Sequence, residues 1–174
     1  MKRRLLLIVL GLTLPACYEF DFPLDAEPKV ANDPKLMGKW KCLPIQGEED
    51  DGVSMLAVTS ETPRKTRWSW VEGARAGANQ TTVFEAFAST VAGRSLLNFK
   101  ERDKGTDAKW SFVRYELLTP DILRLQAVDD EPFKAATTAS GLRTAIEKRV
   151  DDSTIYLDVF VCSRLKKEEA KAGR

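Results

Sequence analysis

Histidine is absent from all 174 residues. Its absence removes Ser-His-Asp and Cys-His catalysis, histidine metal sites and histidine-based pH switches. Charge of one sign is not in surplus either, with 27 Lys and Arg against 26 Asp and Glu, which argues against a nucleic-acid-binding protein, where basic residues gather on one face or helix. Long apolar runs are missing too. The uncharged stretch Leu5 to Leu14 is ten residues, short of the roughly 20 that a membrane-spanning helix needs. There is no internal repeat, no low-complexity tract and no motif that names a ligand or a reaction. What remains is a chain of ordinary composition, 43% hydrophobic, of a length suited to one globular domain.

The N terminus carries an address. Lys2-Arg3-Arg4 precedes the apolar run, and Pro15-Ala16-Cys17 follows it. A cationic start, a short apolar segment and a small residue before the cut make a secretory signal over residues 1–16. Leu14-Pro15-Ala16-Cys17 resembles the lipobox of bacterial lipoproteins. That resemblance implies cleavage before Cys17, lipidation of its thiol and a membrane anchor. Tyr18, rather than Asp, follows the cysteine, and by the same resemblance this points to the outer membrane of a Gram-negative bacterium. The alternative is an ordinary secretory signal that happens to end at a cysteine. One acyl chain binds a bilayer only marginally, so a stable anchor takes two or three. Processing takes the basic residues from 27 to 24 against 26 acidic ones and leaves 174 − 16 = 158 residues.

Residues 18–35 contain Pro23, Pro28 and Pro34, five acids and two lysines. They read as an extended tether after the lipidated Cys17, able to hold a domain some tens of Å off the bilayer at about 3.1 Å per residue. Tyr18, Phe20 and Phe22 alternate, which keeps an edge strand or interfacial anchor as a second reading. Residues 166–174 are charged and small and read as a solvated tail.

Between these, period-2 alternation and turn residues predict a mainly β domain over residues 36–165. The expected strands are Gly38–Leu43, Val53–Thr59, Thr66–Glu72, Thr81–Ser89, Arg94–Glu101, Lys109–Leu118, Ile122–Val128 and Thr154–Leu165. The acidic stretch Gly47–Gly52 lacks the spacing and distal Glu of an EF-hand loop and reads as solvated. Leu142, Ala145, Ile146 and Val150 fall at helical spacing behind Ser140 as N-cap, with a separate short helical turn around Pro132. One helix thus precedes the last strand.

Gly38-Lys39-Trp40 at the head of the first strand resembles the Gly-x-Trp that opens lipocalins, and eight strands with a late helix fit the same layout. The resemblance implies a single antiparallel eight-stranded barrel with Trp40 at its floor. A late basic residue should pack over Trp40: Arg164, or failing that Arg149. A barrel of this size holds its own side chains or one small ligand.

With Cys17 acylated, Cys42 and Cys162 remain in an oxidising compartment and are expected to form a disulfide, the alternative being two buried thiols. If they oppose each other across antiparallel strands, then Trp40 opposes Arg164, since both pairs of numbers share the sum 204. This is the contact that the lipocalin likeness independently requires, and a guanidinium over an indole is worth roughly 0.5–2 kcal/mol.

Trp68, Trp70, Asn98, Arg114 and Tyr115 are the candidate lining of a ligand site for a small apolar or amphipathic molecule. The competing reading makes the tryptophans core packing and Arg114 an outward-facing residue or an ion-pair partner of Asp129. Strand alternation puts Trp110, Phe112 and Arg114 on one face and Val113, Tyr115 and Leu117 on the other. Asp129, Asp130, Glu131, Asp151 and Asp152 read as turn and helix-start residues rather than paired catalytic carboxylates. No enzyme, metal or cofactor is expected. The second expectation of function is a structural lipoprotein with a filled core that binds an envelope protein.

Overall fold

The computed structural model describes residues 19–45, 52–71 and 81–166. The signal region with Cys17, the acidic stretch before Gly52, residues 72–80 between the third and fourth expected strands and all but the first residue of the tail lie outside the described residues.

Eight strands close into an antiparallel barrel in sequence order, each paired with its neighbours and β8 returning to β1. They are β1 (Gly38–Pro44), β2 (Ser54–Thr62), β3 (Lys65–Val71), β4 (Thr81–Val91), β5 (Arg94–Glu101), β6 (Trp110–Thr119), β7 (Ile122–Val128) and β8 (Tyr156–Arg164). One helix, α1 (Ala139–Glu147), precedes the last strand. Its N-cap is Thr138, whose hydroxyl accepts from the Gly141 amide, not the expected Ser140. The run Thr137-Thr138-Ala139-Ser140 offers several hydroxyls, and the one with extended backbone takes the cap. The turn around Pro132 is a 3-10 turn, Glu131–Phe133. β2 outruns its expected end because a bulge between Ser60 and Thr62 lets pairing continue to the Pro63-Arg64 turn.

All turns between β2 and β3, β4 and β5, and β6 and β7 lie at one end, called the floor here, where β1 begins. At the β4–β5 turn, Ala92 and Gly93 both have positive φ, 46° and 79°, which is what a two-residue type I′ hairpin requires.

Two hydrophobic clusters flank the sheet. The interior one joins Leu36, Trp40, Leu56, Trp68, Phe99 and Leu123 with the Cys42 and Cys162 pair. The other lies outside the barrel, where Phe20, Leu24, Phe133, Leu142 and Ile146 cover Val91, Leu96, Phe112 and Val128. Strands β4 to β7 are therefore buried on both faces there, and their runs are correspondingly apolar.

The segment read as a free tether is instead packed down the side of the barrel. Phe20 forms a β-bridge with Trp110, with N–H···O distances of 2.7 and 2.9 Å, and its ring stacks on Phe112 at 4.4 Å. Leu24 is buried. Asn32 donates to the Thr62 and Lys65 carbonyls at 2.6 and 3.1 Å, and a 3-10 turn, Pro34–Leu36, then passes beneath the floor. The bridge realises the edge-strand reading at Phe20, and the prolines shape a strap rather than a spacer because apolar side chains at 20 and 24 have a surface to bury against.

Candidate functional site

The floor assembles from β1 and β8. Cys42 opposes Cys162 and Trp40 opposes Arg164 in the register. The cysteines are bonded, with their Cα atoms 3.9 Å apart. Trp40 is fully buried and its indole N–H donates to the Leu36 carbonyl at 3.0 Å. The Arg164 guanidinium lies 4.0 Å from the Trp40 ring centroid and donates to the Met37 carbonyl at 2.7 Å and the Pro120 carbonyl at 3.2 Å. Arg149, the second choice for this place, instead pairs with Asp152 at 2.9 Å and packs over Phe133.

Gly38 explains the first residue of Gly-x-Trp. Its φ is +134°, and a Cβ there would stand 2.9 Å from an Arg164 nitrogen, so both its backbone and its bare α-carbon are needed for the arginine to reach the tryptophan.

The five candidate ligand residues do not come together. Trp68, Trp70 and Tyr115 belong with the interior cluster, whereas Asn98 and Arg114 share the outward face of β5 and β6, since Asn98 opposes Phe112 and Arg114 opposes Leu96. Asn98 is fully buried beneath the strap. Its carbonyl oxygen accepts from the Leu24 amide at 2.8 Å, and its amide donates to the Phe87 carbonyl at 3.1 Å and the Ser89 hydroxyl at 2.9 Å. It is a docking post for the strap. Arg114 stacks over Tyr156 at 5.0 Å, in place of a pairing with Asp129.

Inside, Trp68 is fully buried, donates its N–H to Thr66 at 2.9 Å and meets Phe99 edge-on at 4.8 Å. Tyr115 donates to Asp33 at 3.3 Å; burial, then the Asp33 charge, push its hydroxyl above the usual value. Trp70 is half-buried higher in the barrel, 4.4 Å from Phe160. Among the described residues, every buried side-chain nitrogen and oxygen has a hydrogen-bond partner.

Four of the five acids have structural partners, and the fifth, Asp130, stands at the start of the Glu131–Phe133 turn without a side-chain cap. Asp129 accepts from the Glu131 amide, Glu131 pairs with Lys134 and Asp151 pairs with Arg94 at 2.8 Å. Asp152 caps the 3-10 turn Ser153–Ile155 and pairs with Arg149. Hydrogen bonds from Thr154, then Arg149, hold its carboxyl down to about 2. Among the described residues, no group of three or more acids and cysteines is placed to hold a metal ion.

Surface recesses bounded by described residues lie on the outside of the barrel. One of about 580 Å³ is a shallow recess by the β2–β3 turn lined by Glu27, Pro28 and Thr62–Lys65. Another, about 540 Å³, lies at the β6–β7 turn beside Arg164. Smaller ones of about 240 and 320 Å³ flank Phe133, against the strap and α1 respectively.

Compared with known proteins, the chain matches no family model, no curated protein and no solved structure.

Two residues that organise the outer layer escaped the sequence reading. Arg143, on α1, donates to the Leu24 carbonyl at 3.1 Å and pairs with Asp25 at 3.2 Å, joining helix and strap. Asn32 fastens the strap to the β2–β3 turn. No local pattern marks either; the run Leu96-Leu97-Asn98-Phe99, apolar on both faces of a strand, was the available signal that something covers β5.

Proposed function

We propose that the protein is a lipid-anchored component of a bacterial cell envelope, held by an acylated Cys17 on an outer membrane. Its barrel is a filled scaffold that presents its surface to an envelope protein partner. The anchoring half rests on the Leu14-Pro15-Ala16-Cys17 pattern behind a cationic, apolar leader. The scaffold half rests on one observation, the filling of the lower barrel: Trp40, Trp68, Leu56, Leu123 and the bonded cysteines meet there at 0–1% exposure. With Asn98 and Arg114 on the opposite side of the sheet from the tryptophans, the residues best suited to recognise a polar headgroup do not face the interior.

A second reading, one small apolar or amphipathic ligand held by the barrel, draws on Trp70, Phe84 and Phe160, which are half-buried in its upper half. Native mass spectrometry with organic extraction, on protein purified with its disulfide intact, separates the two. A clean mass unchanged by fatty acids, phospholipids and isoprenoids supports the scaffold. A reproducible bound mass that disappears on denaturation supports the ligand. Anchoring is tested by Cys17→Ala, which should move the protein from the membrane to the soluble fraction and abolish the acyl mass.

A further inference from the structure

We infer that the barrel sits with its upper end, opposite the floor, against the lipid bilayer. The inference rests on the anchoring reading and adds an orientation to it. Phe20 is fixed to Trp110, the first residue of β6, and β6 starts at the upper end and runs down to the β6–β7 turn at the floor. Cys17 stands three residues before Phe20. Three fully extended residues reach about 10 Å, so a lipid on Cys17 holds the Phe20 corner within about that distance of the acyl-glycerol. A free spacer over residues 18–35 would have allowed any orientation. The docked strap takes that slack away, because the chain spends residues 20–36 travelling from the upper end to the floor before β1 begins.

The β1–β2 side of that end fits the acyl boundary, while the β5–β6 side, with exposed Arg102, Asp103, Lys104, Asp107 and Lys109, faces the headgroup layer. Among the described residues, the exposed large hydrophobics are Leu43, Ile45, Met55 and Leu118, and the first three lie at the upper ends of β1 and β2. The outward positions of β1 read Lys39, Lys41, Leu43 and, just beyond its end, Ile45, changing from charged to apolar as the strand rises. Antiparallel strands with one wet face commonly keep that face polar, and this change departs from the pattern. Exposures of 53% for Leu43 and 44% for Ile45 leave about half of each residue available to the acyl boundary.

The test uses the lipidated mature protein reconstituted in phosphatidylcholine vesicles. With Cys17 acylated and Cys42 bonded to Cys162, an added cysteine is the single reactive thiol. Spin labels are placed at Ile45→Cys, at Leu43→Cys as a second reporter, and at Arg64→Cys in the β2–β3 turn at the floor. Accessibility to oxygen, which concentrates in lipid, is compared with accessibility to a water-soluble nickel chelate. On reconstitution the oxygen-to-nickel ratio should rise several-fold at 43 and 45 and stay unchanged at 64. Protein that floats with the vesicles while all three labels stay water-like, or in which only 64 changes, overturns the orientation and leaves anchoring intact. Protein that carries no acyl mass and does not float overturns the anchoring reading and the orientation with it.

Discussion

Arg164 lies over Trp40, its guanidinium 4.0 Å from the ring centroid, and Gly38 is the residue that lets it come so close. Arg164→Met keeps the aliphatic stem and removes the cation, losing about 0.5–2 kcal/mol from the ring contact and leaving the Met37 and Pro120 carbonyls to find new partners. Gly38→Ala should destabilise more in the parent protein than in the Arg164→Met background, because one of its two penalties, the 2.9 Å approach to the arginine, is then gone. Urea unfolding of the parent and the three variants in a double-mutant cycle reads the difference. Equal losses in both backgrounds would mean that only the backbone strain at φ +134° matters.

The disulfide joins residues 120 apart in sequence. In the chain-entropy model a loop of that length is worth about 4–5 kcal/mol, a large share of the stability of a domain this size. Replacing both Cys42 and Cys162 with serine should lower the urea midpoint and raise the slope, because the unfolded chain, freed of its loop, exposes more surface. A loss below about 1 kcal/mol would show that the floor packing, not the covalent closure, limits unfolding.

Asn98→Ala removes three hydrogen bonds at once and leaves the Leu24 amide buried without its acceptor. A cost of about 1–3 kcal/mol is expected. The distinctive outcome is spatial: hydrogen exchange should accelerate over residues 20–32 while β1 and β8 keep their protection. Uniform acceleration across the barrel would show that strap and barrel unfold as one unit.

Acid sensitivity follows from carboxylates held below the ordinary value of 3.8. Asp152 is held at about 2 by Thr154 and Arg149. Asp158 is lowered chiefly by its hydrogen bonds from Arg124. At Asp25, burial pushes the value up, but Ser89, Arg143 and Lys29 outweigh it and the net direction is down. A folded value below the unfolded one contributes stability that is full above about pH 4 and is lost as pH falls toward 2. Urea midpoints between pH 5 and 2 should therefore fall, and Asp152→Asn should flatten the curve in that window. An unchanged slope in the variant would remove Asp152 from the account.

The barrel was legible because a strand with one buried face writes its own alternation, and because the pairs 42 with 162 and 40 with 164 share one register. The strap was not legible, since nothing local decides it: Leu24 and Asn32 are held by Asn98 and by the carbonyls of Thr62 and Lys65, which lie far along the chain. The grouping of Trp68, Trp70 and Tyr115 with Asn98 and Arg114 failed for a related reason. Polarity within an apolar run was read as lining a cavity, whereas the run was apolar because a second layer covers its outside.

The route of the strap also sets the order in which the molecule yields under load. Tension applied through the N terminus meets the two hydrogen bonds at Phe20 first, then the Asn98 post, then Asn32. Only after those does it reach β1, which the disulfide welds to β8. Tugging on the leash would therefore peel the strap from top to bottom and uncover Phe112 and Leu96, while the barrel, closed by a covalent bond at its floor, keeps its shape.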